Sequence, residues 1–111
     1  METIAILGAG AWGTALALHL ARGRTAPAVR LWARDPAQAE TLGALRENRR
    51  YLPGAALEPS IAVTADLGAA LAGVTLVVVA TPVNALLEVV NAARGFARAP
   101  LFWLAKGFVS A

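Results

Sequence analysis

The stretch TIAILGAGAWGTALALHL, residues 3–20, constrains the fold more than any other part of the chain. Gly8, Gly10 and Gly13 stand there between a β-branched apolar run and an alanine- and leucine-rich pattern of helical spacing. Glycine weakens the interiors of strands and helices alike, so this placement marks a point where bare backbone is needed. A strand that enters a glycine turn and leaves it as a helix begins a parallel βαβ unit, which commits the chain to an α/β architecture.

The rest of the chain repeats that alternation. We read strands at Thr3 to Leu7, Val29 to Trp32, Ile61 to Thr64, Thr75 to Ala80 and Leu101 to Ala105. Between them we read helices at Ala11 to Arg22, Pro36 to Asn48, Asp66 to Leu71 and Val83 to Arg94, with a Pro- and Gly-rich loop from Tyr51 to Pro59. Asp35 followed by Pro36 is a strong helix-start signal. The strand candidates are near-continuous apolar runs, as expected when both faces of a parallel sheet are covered. The expected fold is therefore a doubly wound, mostly parallel sheet with helices on both faces, of the Rossmann type.

Composition narrows the function. A length of 111 residues is that of one domain, and 58% hydrophobic with 15% charged residues excludes a disordered chain. The absence of cysteine excludes a disulfide framework and a zinc–thiolate site, no metal is expected, and a cytoplasmic location is the default. The formal charge of +3 raises nucleic acid as a partner, but Arg46, Arg49 and Arg50 form the only tight basic group, where a helix is expected to end; no nucleic-acid binding is expected. Two uncharged stretches, Thr3 to Ala21 and Leu67 to Leu87, need a membrane check. The first follows Glu2 and carries three glycines and His19; the second is broken by Gly73, Pro82 and Asn84. Both read as buried sheet and helix, without a membrane span.

Doubly wound sheets bind ligands at the carboxyl ends of their strands, which selects residues 8–11, 33–35, 64–66, 81–84 and 106–107. In the G-x-G-x-x-G pattern, Gly8 allows a tight turn, Gly10 lets backbone approach a diphosphate, and Gly13 lets the helix pack against the sheet. The positive start of that helix then receives the anion, and Trp12 reads either as a core residue or as a shield for the cofactor. Pro82, in the turn after the fourth strand, is counted with the cofactor contacts. At the end of the second strand, LWARDP offers Asp35 for a ribose hydroxyl or helix cap, and Arg34 for a 2′-phosphate, for stacking beside the adenine or as a plain solvated arginine; the preference is NADP, with NAD possible. Lys106, the only lysine, ends the fifth strand, where it is either an ordinary exposed lysine or a charge or proton donor for a carbonyl or a phosphorylated substrate. His19 is expected to be a partly buried structural residue.

GAGAWGTALA, LWARD, RENRRYLPG, VVVATP and LAKG, taken together, resemble the N-terminal domain of bacterial-type NAD(P)-dependent glycerol-3-phosphate dehydrogenases over nearly the whole chain. The segment Asn48 to Gly54 sets this family apart from ketopantoate reductases and hydroxyisobutyrate dehydrogenases. The resemblance implies hydride exchange between NAD(P)H and dihydroxyacetone phosphate, a small phosphorylated substrate, in phospholipid synthesis, by a homodimer in the full-length enzyme. It implies pyrophosphate contacts at Ala11 and Trp12, adenosine-ribose contacts at Arg34 and Asp35, an aromatic near the adenine at Tyr51, and at Lys106 a catalytic lysine touching cofactor and substrate.

Two departures bear on activity. Val109 stands where the family usually carries an acidic residue, and the family's acid/base lysine and phosphate-binding arginine belong to a C-terminal helical domain that is not in these 111 residues. The expectation is a cofactor domain that binds but does not turn over substrate alone. A stand-alone NAD(P)-binding sensor or structural module, and a different dehydrogenase of the same superfamily, are the alternative readings.

Overall fold

A computed structural model describes residues 2–23, 25–96 and 98–103. Its elements in chain order are β1 (Thr3–Leu7), α1 (Ala11–Leu20), β2 (Ala28–Trp32), α2 (Pro36–Leu45), β3 (Glu47–Asn48), β4 (Leu52–Ala56), β5 (Ala62–Thr64), α3 (Leu67–Leu71), β6 (Leu76–Val79), α4 (Val83–Arg94) and β7 (Leu101–Trp103). Five strands form one sheet in the order β5-β2-β1-β6-β7, and every pair in it is parallel. The direction of winding reverses between β1 and β6, which places the switch point beside the glycine-rich turn.

The alternation of side chains along β1 builds two cores. Ile4 and Ile6 face one side with Ala17 and Leu18 of α1 and Leu42 of α2, whereas Ala5 and Leu7 face the other with Leu71 of α3 and Val89 of α4. Ala5, Ile6 and Leu7 are fully excluded from solvent. Each large aliphatic buried this way contributes about 1.5–3 kcal/mol, so the centre of the sheet is held from both faces. The doubly wound arrangement expected from the sequence is the one observed.

The segment between α2 and β5 differs from its expected form. Helix α2 stops at Leu45 because Arg46 adopts a left-handed conformation (φ 55°). The Arg46 guanidinium then donates to the carbonyls of Glu58 at 2.7 Å and Ile61 at 2.8 Å, so this arginine ties the chain down after the helix. Glu47–Asn48 and Leu52–Ala56 pair as a small antiparallel hairpin where a helix end and a loop were expected. Arg49 and Arg50 consequently sit in the hairpin turn, beyond the helix terminus. Helix α1 ends at Leu20, and His19 in its last turn is exposed, not partly buried. The last strand is described through Trp103, and the remainder of its expected span lies outside the described residues.

Candidate functional site

The carboxyl ends of β1, β2 and β6 converge at the switch point around an open cleft of about 290 Å³. The cleft brings together Gly8, Gly10, Ala11, Trp12, Arg34, Tyr51 and Pro82 of the residues singled out from the sequence. It adds Ala9, Trp32, Gln38, Ala80, Thr81 and Ala85.

The three glycines are separated by what a side chain would meet. Gly8 has φ +129°, and a Cβ there would lie 2.8 Å from the Ala80 carbonyl, so β1 turns hard against the end of β6. At Gly13 a Cβ would fall 1.8 Å from the Gly8 carbonyl oxygen; this buried glycine lets α1 seat on the turn without lining the cleft. A Cβ at Gly10 would meet nothing within 4 Å, which leaves an open approach to the backbone.

The helix starts at the cleft carry no side-chain caps. Gly10 precedes α1 and Pro82 precedes α4, and among the described residues neither helix start receives a side-chain hydrogen bond. Helices α2 and α3, by contrast, are capped by Asp35, which accepts from the Ala37 amide at 3.0 Å, and by Asp66, which accepts from the Ala69 amide at 3.2 Å. The first-turn N–H groups of a helix have no intrahelical partner, so at α1 they remain available to an anion. The hydroxyl of Thr81, on a residue 7% exposed, also lacks a partner among the described residues. No acidic residue lines the cleft among the described residues, and Arg34 does.

Aromatic groups flank this polar floor. Trp12 and Tyr51, each 41% exposed, stand at the cleft as large apolar surfaces without full cover, and the Arg50 guanidinium lies 5.1 Å from the centre of the Tyr51 ring. Arg34 is ion-paired with Glu88 of α4. Asp35 turns its carboxylate to its own helix and does not line the cleft. Lys106 lies outside the described residues. Among the described residues no group of three or more His, Asp or Glu could hold a metal ion, and no helix is long and apolar enough to cross a membrane.

Asn48 was not singled out for chemistry, only as part of the Asn48 to Gly54 segment. Its side chain is 2% exposed and donates to the Ala9 carbonyl at 2.7 Å and to the Thr14 hydroxyl at 2.8 Å. Gln38 donates to the same Ala9 carbonyl at 3.0 Å. The polar residue type in a turn-rich segment was visible; its partners, 34 and 39 positions away, were not.

A switch-point cleft with bare glycine backbone, an uncapped helix start, an unpartnered hydroxyl and flanking aromatics fits an anionic dinucleotide, and defines a Rossmann-type nucleotide-binding domain. Comparison with known proteins narrows the class. Residues 3–111 match the family described as NAD-dependent glycerol-3-phosphate dehydrogenase N-terminus, and the chain belongs to that family. It is 57% identical over 105 residues to glycerol-3-phosphate dehydrogenase [NAD(P)+] of Variovorax paradoxus, covering 94% of this chain and 30% of the relative. It is 50% identical over 106 residues to the enzyme of the same name from Acidovorax sp. strain JS42, covering 95% of this chain and 32% of that one. The solved glycerol-3-phosphate dehydrogenase of Coxiella burnetii superposes with a TM-score of 0.85 at 38% identity, covering 96% of this chain and 34% of that structure. The chain thus spans about a third of the length of the curated relatives it matches.

Proposed function

We propose that the cleft at the switch point binds NADPH in preference to NADH, and that in a full-length homodimeric enzyme of the cytoplasm this chain serves the interconversion of dihydroxyacetone phosphate and sn-glycerol 3-phosphate for phospholipid synthesis. The observation that carries the reading is the uncapped start of α1 behind Gly8 and Gly10, at the reversal of strand order. A reduced coenzyme bound there supplies a hydride to the substrate carbonyl. The chain's own residues bind and orient. The first-turn amides near Ala11 and Trp12 hold the diphosphate, with Gly10 leaving room for its approach and Gly8 and Gly13 fixing the turn. Trp12 and Tyr51 cover the flat rings, and Pro82 starts α4 on the opposite wall. Arg34 takes the 2′-phosphate, which is the source of the NADPH preference. Asp35 holds the α2 start from which Arg34 is presented, with one carboxylate oxygen on the Ala37 amide. Lys106 places a positive charge against the substrate's phosphate or its polarised oxygen.

Calorimetric titration of the 111-residue chain with NADPH and NADH tests this reading. Saturable binding of both, tighter for NADPH, is the expected result. A chain that folds and takes up neither nucleotide overturns it.

A further inference from the structure

We propose that Asn48 is a positioning residue for the glycine-rich loop: its side-chain amide locks the Ala9–Gly10 peptide in the one orientation that offers a bound diphosphate an N–H in place of a carbonyl oxygen. The proposal rests on the coenzyme reading above and goes beyond it by assigning a task to a residue that does not line the cleft. Asn48 is 2% exposed, and its hydrogen-bonding groups are in use. The amide donates to the Ala9 carbonyl at 2.7 Å and to the Thr14 hydroxyl at 2.8 Å, and the side-chain oxygen accepts from the Tyr51 amide at 3.3 Å. Gln38 supplies a second donor to the Ala9 oxygen at 3.0 Å. That oxygen therefore has both lone pairs engaged by side chains from two different elements, α2 and β3.

The consequence follows from peptide geometry. Among the described residues no peptide is cis, and in a trans peptide the carbonyl and the following N–H point in opposite directions. Two amides that capture the Ala9 oxygen thereby set the direction of the Gly10 N–H. Without them the peptide turns over by paired rotation about ψ of Ala9 and φ of Gly10, and on the Gly10 side no Cβ resists it, since a Cβ there would meet nothing within 4 Å. A turned peptide presents a partial negative charge to the loop's anion. Flexible backbone at a phosphate loop thus needs an external clamp, and the hairpin supplies one. Because Asn48 also accepts from Tyr51, the aromatic at the cleft and the loop are held by the same side chain.

The test compares Asn48→Ala and Gln38→Ala with the unmodified chain. Affinities for NADPH and ADP-ribose are measured by calorimetry, thermal melts report folding, and the Gly10 amide is followed by ¹H–¹⁵N NMR. Gln38 is half-buried, so Gln38→Ala removes one arm of the clamp without emptying a buried site and carries the test if N48A melts below the working temperature. The expected result is a loss of at least tenfold in N48A and about threefold in Q38A, shared by both ligands because both contain the diphosphate. In the unmodified chain the Gly10 resonance is single and moves on titration; in N48A it broadens or doubles, a signature that lowered stability alone does not produce. Folded N48A and Q38A that bind within twofold of the unmodified chain, or an unaltered Gly10 resonance in N48A, overturn the inference. Failure of the unmodified chain to bind either ligand overturns the coenzyme reading itself, and this inference with it.

Discussion

The guanidinium of Arg34, just beyond β2, is ion-paired with the carboxylate of Glu88 on α4, joining the two walls of the cleft at one end. Both side chains are more than half exposed, at 52% and 68%, so the pair is worth at most about 1 kcal/mol. It nevertheless competes for the group proposed to meet a 2′-phosphate. Glu88→Gln is expected to tighten NADPH binding about two- to fivefold and leave NADH within twofold, and Arg34→Ala to erase the difference between the nucleotides. Calorimetry on the three chains decides it; equal affinities in the unmodified chain remove the basis for an NADP preference.

The glycines divide folding from binding. Gly13→Ala forces a methyl into the Gly8 carbonyl oxygen, a backbone atom that cannot step aside, and is expected to cost at least about 3 kcal/mol and lower Tm by more than about 10 °C. Gly10→Ala meets no atom and has an ordinary φ of −79°, so its Tm stays within a few degrees while coenzyme affinity falls at least tenfold. Melting curves and titrations of the two variants give opposite patterns if the assignment holds.

Thr81→Val exchanges a buried hydroxyl with no partner among the described residues for a methyl group of similar shape. Removing an unsatisfied polar group is expected to stabilise the free chain by about 1 kcal/mol, raising Tm by about 4–8 °C. A lower Tm means that the hydroxyl has a partner in the folded chain.

How much of this was legible follows from how local each feature is. The turn after β1 and the span of α4, Val83–Arg94, were readable because apolar runs, glycines and a proline at a helix start act within a few residues. The hairpin was not, since β3 has two residues and β4 contains Pro53, Gly54 and two alanines, types depleted in strands. The end of α2 was missed because Arg46 adopts a left-handed conformation usually signalled by glycine. The bonds of Asn48 to Ala9 and of Arg34 to Glu88 span 39 and 54 positions, and no local pattern reports such partners.

Asp35 gives a prediction that separates a cap from a ligand contact. Asp35→Ala loses the bond to the Ala37 amide and is expected to cost about 1 kcal/mol, or about 4–8 °C in Tm. The ratio of NADPH to NADH affinities stays within twofold of the unmodified chain. A ratio that changes tenfold assigns Asp35 to the ribose instead.

Helix α1 is unfinished at its first turn, and whatever completes that turn becomes in effect part of the secondary structure. In the proposed complex a dinucleotide seated there would supply the oxygens that aspartate provides at α2 and α3, and binding to the native chain alone would shift the folding equilibrium in its favour. On the proposed reading, saturating nucleotide is expected to slow proteolysis of the chain and its removal to speed it.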